Sequence, residues 1–247
     1  MSFEPKPGQS CSDVRDEAKV DRHSGRYAES LQKHEWYFEH SRNEMGMGGV
    51  RLSFALGDWL ELASDYQPAM VAFVSLRDRT EKRCRESRGE FNAFHELSAL
   101  NDYLNSNERT IAMFLDIAKL DKNAASRIYH VAEPYLVASG LYKECGPFLR
   151  MERTIEIGIS ALRIGLNLEQ SYVGPEYSPP PLAEQMFREG TTRLVALLAL
   201  NGRMSEAQTA MDLSIAELDS VDFREELTAC DRRLKGSHFR RRFGSHF

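Results

Sequence analysis

The chain has 247 residues, a formal net charge of −5 and a pI of about 5.9. Its apolar fraction of 42% and charged fraction of 28% are ordinary for a globular chain long enough to bury a sizeable core. The acidic balance argues against general nucleic-acid binding, which needs a basic face.

Met1–Ser10 holds two prolines, a glycine and polar residues, and Ser12–His23 offers only Val14, Ala18 and Val20 as apolar positions. Residues 1–24 are therefore expected to be a partly disordered segment, in which Ser12–His23 reads as a helix with little to bury. Gly25-Arg26-Tyr27 reads as a turn into an aromatic-rich helix, Tyr27–Arg42, which Gly46, Gly48 and Gly49 end. Its Trp36-Tyr37-Phe38 cluster reads as core packing.

Gly49–Ser87 reads as two helices joined at Gln67-Pro68. Leu52, Leu56, Trp59, Leu60 and Ala63 give the first an apolar face. Gly57 inside it suggests close approach of a partner helix, since glycine costs about 1 kcal/mol there against alanine. Pro68 suits the first turn of the second helix, where its missing N–H would be unpaired anyway. That helix carries Ala69, Met70, Phe73, Val74 and Leu76.

After Gly89, Phe91, Phe94, Leu97, Leu100 and Leu104 define a helix, Asn105-Ser106-Asn107 a turn, and Thr110, Met113, Phe114 and Ile117 the next helix. Asp121–Asn123 turns the chain into a helix with Ile128, Tyr129, Ala132, Leu136 and Val137, kinked or ended at Pro134. Gly140-Leu141-Tyr142 is a further turn, and Gly146-Pro147 interrupts the helix that Tyr142 opens. Arg150–Gln170 is helical; whether it continues the Tyr142 helix stays open. The proline-rich loop 172–181 precedes Leu182–Leu200, the turn at Gly202, and Ser205–Leu218, where Ser205 and Gln208 read as a capping box. Phe223–Leu234 would close the array, and residues 236–247 form a basic tail expected to be disordered.

Leu56-Gly57, Ala69 and Phe73 resemble the tetratricopeptide repeat pattern, in which Leu-Gly in one helix is followed by a small residue and an aromatic in the next. Thr110 and Phe114 repeat the second half of it, Cys145 takes the small-residue place, and Gly202 with Ala207 repeats the turn and the small residue. Units start near Gly49, Glu90, Ala125 and Phe187, roughly 35 to 60 residues apart against a period of about 34 in that family. The resemblance implies an all-α fold over residues 25–235, an α-α superhelix of stacked, irregular helical hairpins. No alternating strand pattern opposes this.

Cys11, Cys84, Cys145 and Cys230 are far apart and form no C-x-x-C pair, which reads as reduced thiols rather than a disulfide framework or zinc site. No apolar leader is visible, and the longest apolar run, Leu194–Leu200, is far short of the about 20 residues a bilayer requires. A cytoplasmic protein with no membrane partner is expected.

His34 and His40 lie six apart, on opposite helix faces, unlike a metalloprotease pair. Gly46-Met47-Gly48-Gly49 lacks the strand and Lys-Ser/Thr of a phosphate loop. The resemblance implies a concave groove lined by first helices, with Arg51, Phe54, Asp58, Glu61, His95, Asp102, Arg127 and His130 binding a protein or peptide. The expected function is a non-enzymatic interaction module, such as an adaptor, regulator or toxin-neutralising partner, with no cofactor and no metal. The alternative is an all-α enzyme or metal-binding protein using His95, Glu96 and His130. Self-association through apolar faces at Trp36 or Ile155–Leu166 is a third outcome.

Overall fold

A computed structural model describes residues 3–44, 47–171 and 182–229. Those residues are predominantly helical, with no strand among them. Compactness divides the chain inside one helix, between Ala132 and Glu133, and the two units are taken in turn.

The first unit holds α1 (Cys11–His23), α2 (Tyr27–His40), α3 (Met47–Leu52), α4 (Phe54–Asp65), α5 (Gln67–Glu86), α6 (Phe91–Tyr103), α7 (Asn107–Leu120) and the start of α8 (Lys122–Ala138). Pairs α1/α2, α4/α5 and α6/α7 are packed as hairpins, and α2 meets α4 as α5 meets α6. Phe38, Leu56, Trp59, Leu62, Phe73, Leu76 and Leu100 form one core across these pairs. Trp59 stands edge-on to Phe73 at 5.6 Å, and its indole N–H donates to the Ala69 carbonyl. That satisfies the tryptophan's one polar atom inside an apolar layer.

The turn between α1 and α2 is a tight six-residue loop: the Arg26 amide donates to the Asp21 carbonyl at 2.8 Å and Gly25 takes φ +74°. Asn105, at φ 51°, makes the same loop between α6 and α7, where the Ser106 amide donates to the Asn101 carbonyl. Glycine and asparagine are the residues that tolerate this left-handed backbone at the end of a helix. Five residues after each stand Ser30 and Thr110, both fully buried where the second helix meets the first. The Ser30 hydroxyl donates to the Ala18 carbonyl, and Thr110 Oγ1 accepts from Asn101, so the buried hydroxyls are satisfied.

The structure refines three expectations. Residues 11–23 are a helix, capped by a reciprocal Ser10–Asp13 box and buried through Val14 and Ala18 against α2. The single helix expected before Gln67 is two, because Ser53 leaves helical geometry at φ −126°, ψ −93°. Gly57 does admit a neighbour, the Tyr103 ring, but an added methyl would meet it at an ordinary 3.7 Å.

The second unit holds the end of α8, α9 (Tyr142–Cys145), a 3₁₀ turn Gly146–Phe148, α10 (Met151–Ser171), α11 (Leu182–Leu200), α12 (Met204–Glu217) and α13 (Val221–Thr228). Gly146-Pro147 separates the Tyr142 helix from α10. The Gly140 and Gly202 turns repeat the left-handed loop, and Cys145 and Ala207 are the buried small residues five positions on. Asn201 ties the later turn to the earlier: its amide donates to the Tyr142 and Leu197 carbonyls, while Arg203 reaches the Gly146 and Leu149 carbonyls. The capping box expected at Ser205 is absent; α12 starts at Met204, and Arg203 pairs instead with Glu206. The proline-rich loop 172–181, Gly46, Cys230 and the basic tail lie outside the described residues.

Two glycines should respond to alanine with opposite signs. Gly57→Ala should raise stability by up to about 1 kcal/mol, because the helix gains propensity and the space exists. Gly165→Ala should instead lower it by about 1–3 kcal/mol, since its new methyl would lie 2.6 Å from that of Ala183 on α11. Urea unfolding of both variants beside the parent checks the two signs.

Candidate functional site

The eight residues expected to line a groove are all in the first unit, and the structure separates them into three groups. Asp58 and Glu61 face α1. Arg15, Lys19 and Arg22 lie along one side of α1 and pair with Asp58, Glu61 and Asp65 along one side of α4. Spacings of three and four residues put each set on a single helix face. These partly exposed pairs are each worth at most about 1 kcal/mol, but they fix how α1 lies on α4. The two carboxylates are thus occupied by the chain itself.

Arg51 is not a surface residue. It is 3% exposed, lies over the Phe38 ring at 3.8 Å and donates to the Phe38 carbonyl and to Glu96. Glu96, 2% exposed, also receives Arg42 and Arg83. Burial alone would raise the Glu96 carboxyl; the guanidiniums, Arg51 foremost, outweigh it and hold it below the usual carboxylate range. The helical pattern puts Arg51 on a polar face, and the break at Ser53 is what turns it inward.

The third group does gather at the surface. Phe91 on α6 stacks on His130 of α8 with ring centres 5.3 Å apart, and His95, one turn on, meets the Phe91 ring at 5.6 Å. Both imidazoles and Phe91 are exposed, as is Arg127 one turn before His130. Partial desolvation, and then the neighbouring His130, hold the His95 imidazole below its ordinary value. Phe54 is 67% exposed at the start of α4, with Arg15 over its ring at 5.9 Å. Asp102 is half-buried and accepts from the Asn107 amide.

The combination of His95, Glu96 and His130 does not assemble. The histidines flank Phe91, while each Glu96 oxygen is held by two guanidinium nitrogens. Among the described residues no three His, Cys, Asp or Glu side chains come together as a metal site. Cys11 and Cys84 are free and buried, and burial pushes both thiols up to about 12, which leaves them no reactive thiolate near neutral pH; Cys145 is buried too. No described helix is long and apolar enough to cross a membrane. Comparisons with protein families, curated proteins and solved structures return no match.

Sequence reading does not find the Glu96 cluster. Arg42, in the 3₁₀ turn Ser41–Asn43, lies 54 residues before Glu96, and Arg83 on α5 lies 13 before it, so no spacing within one helix betrays them. His34 has a place that its spacing from His40 does not suggest. It is 2% exposed and stacks on Trp59 at 5.9 Å.

These buried groups should show in the pH dependence and depth of stability. Burial lowers the His34 pKa to about 4, below its ordinary 6.5. The unfolded chain therefore binds a proton that the folded chain refuses in that window, so stability falls as pH drops from 6.5 towards 4. His34→Gln should flatten this slope in urea unfolding run across that range. Glu96→Gln removes the charge that three guanidiniums share, and should cost about 3–5 kcal/mol in the same assay at pH 7.

Proposed function

We propose that the chain is a non-enzymatic protein-interaction module on a tetratricopeptide-like array of helical hairpins. The observation that carries this is the Phe91–His95–His130 cluster. Its side chains come from successive first helices, α6 and α8, and lie together at the surface. An exposed aromatic ring braced by two imidazoles offers flat apolar area at low entropy cost, the kind of anchor that protein interfaces use. Arg127 adds a cation beside it, and Phe54 a second exposed ring.

The recognition surface is accordingly narrower than the groove expected from the repeat pattern. Phe54, Phe91, His95, Arg127 and His130 belong to it; Arg51, Asp58 and Glu61 serve the fold. The partner is a peptide or protein segment presenting an apolar side chain, and an acidic neighbour would complement Arg127. The free, buried Cys11 and Cys84 support a reducing, cytoplasmic setting.

Quantitative affinity capture tests the reading. Intact protein is compared with Phe91→Ala/His130→Ala and with Lys82→Ala, a charge change on the exposed side of α5. At least one captured protein should fall about tenfold with the first variant and stay constant with the second, the loss expected for one interface anchor. Equal capture by all three forms would remove the cluster from the interface.

A further inference from the structure

The charges around Glu96 do not balance, and neither do the hydrogen bonds. Glu96 Oε1 accepts from Arg42 Nε and Arg51 Nη1, each at 2.9 Å, and Oε2 accepts from Arg42 Nη2 and Arg83 Nη2. Two acceptances per oxygen fill a carboxylate. Three guanidiniums thus converge on one saturated anion. Glu39, on the exposed side of α2, is a further carboxylate that reaches Arg51 electrostatically, which still leaves cation in excess.

The unused donors lie on all three arginines. Arg51 Nη2 is buried with no hydrogen-bond partner. The other two nitrogens of Arg51 are each engaged, Nε with the Phe38 carbonyl and Nη1 with Glu96, and the Phe38 ring under the guanidinium fixes its plane. Arg42 Nη1 and Arg83 Nε and Nη1 likewise make no hydrogen bond among the described residues, and their side chains reach the surface, 33% and 40% exposed. An unpaired buried N–H on a cation is costly to leave, so a native structure with one invites an acceptor.

We infer that Arg42, Arg51 and Arg83 form an oxyanion-binding site, with Glu96 as the internal carboxylate that holds the three forks in place. Guanidinium forks match tetrahedral oxyanions in geometry, and more than one of them on a single ligand favours a dianion such as phosphate. The shared ligand chemistry is a phosphate group, whether free or as a monoester. The Phe38 carbonyl, which takes Arg51 Nε, and Glu96, which takes Nη1, leave the third nitrogen as the contact at the buried end. Arg42 and Arg83 would close over the ligand from the solvent side. The site uses no side chain of the Phe91 cluster and does not depend on it.

The test is titration of the full chain with inorganic phosphate and, separately, phenyl phosphate, followed by calorimetry and by the shift in melting temperature. Saturable binding of one or both below about 10 mM is expected, with a higher melting temperature, and the tighter ligand tells a free anion from a monoester. Arg42→Gln/Arg83→Gln should weaken it by at least about tenfold, while Arg79→Gln, an exposed arginine of α5 bonded to Ser75, should leave it unchanged. Arg83→Lys keeps the charge and loses the fork, so a several-fold loss there separates fork recognition from simple charge attraction. Absence of saturable binding to the parent chain would overturn the inference without recourse to any variant. So would a folded double variant, checked by circular dichroism, that binds phosphate as the parent does.

Discussion

The constraint on which the architecture depends is the left-handed residue that ends a first helix. A helix running into Gly25, Asn105, Gly140 or Gly202 closes with a bond reaching back five residues, so the next helix starts at a set angle and distance. The small residue five positions on then lies against the first helix. Ser30, Thr110, Cys145 and Ala207 are all buried there, and a larger side chain would hold the helices apart. Turn and small residue act as one device, because each is useful only at the spacing the other sets. The α4/α5 pair turns differently, through Tyr66 with extended backbone and Pro68 in the first turn, yet Ala69 keeps the buried small position.

This device is legible along the chain because it is local. A glycine, a fixed offset and a small residue can be read in order, as can the 3.6-residue rhythm of Phe94, Leu97 and Leu100. Features set by partners far off in sequence cannot. α1 carries only a few apolar residues and so reads as loose, but its basic stripe finds the acidic stripe of α4 some forty residues later. The same ladder pairs Asp58 and Glu61, read as prospective ligand-binding residues, with cations of α1. Periodicity misplaces Arg51 for a different reason: it assumes an unbroken helix, and a break at Ser53 resets which face is which. His95 and His130 do come out near each other, each against the Phe91 ring, because their places on α6 and α8 follow from the helical rhythm alone.

The Glu96 cluster raises an energetic question that the apolar core does not. Taking a carboxylate and a guanidinium out of water costs several kcal/mol per ion, and their attraction repays this only with good geometry and full hydrogen bonding. Glu96 meets that condition; Arg51 does not, since one of its nitrogens is left over. Burial accordingly lowers the Arg51 pKa while Glu96 pulls it up. A cluster built for stability alone would place one arginine on one glutamate, or replace both with leucines. Three arginines on one glutamate is a poor choice for stability and a reasonable one for holding cationic forks ready.

The two surfaces differ in kind, and the difference follows from where each charge is held. Phe91, His95 and His130 lie on the outside of their own helices, so altering them leaves the core intact. Arg51 cannot be altered without leaving Glu96 in an unbalanced interior, while Arg42 and Arg83 stand at the edge and can. That gradient, from a fixed buried fork to two outer ones, is how a preorganised anion site is built: the inner contact costs no reorganisation, and the outer side chains give up rotamer freedom only when a ligand arrives.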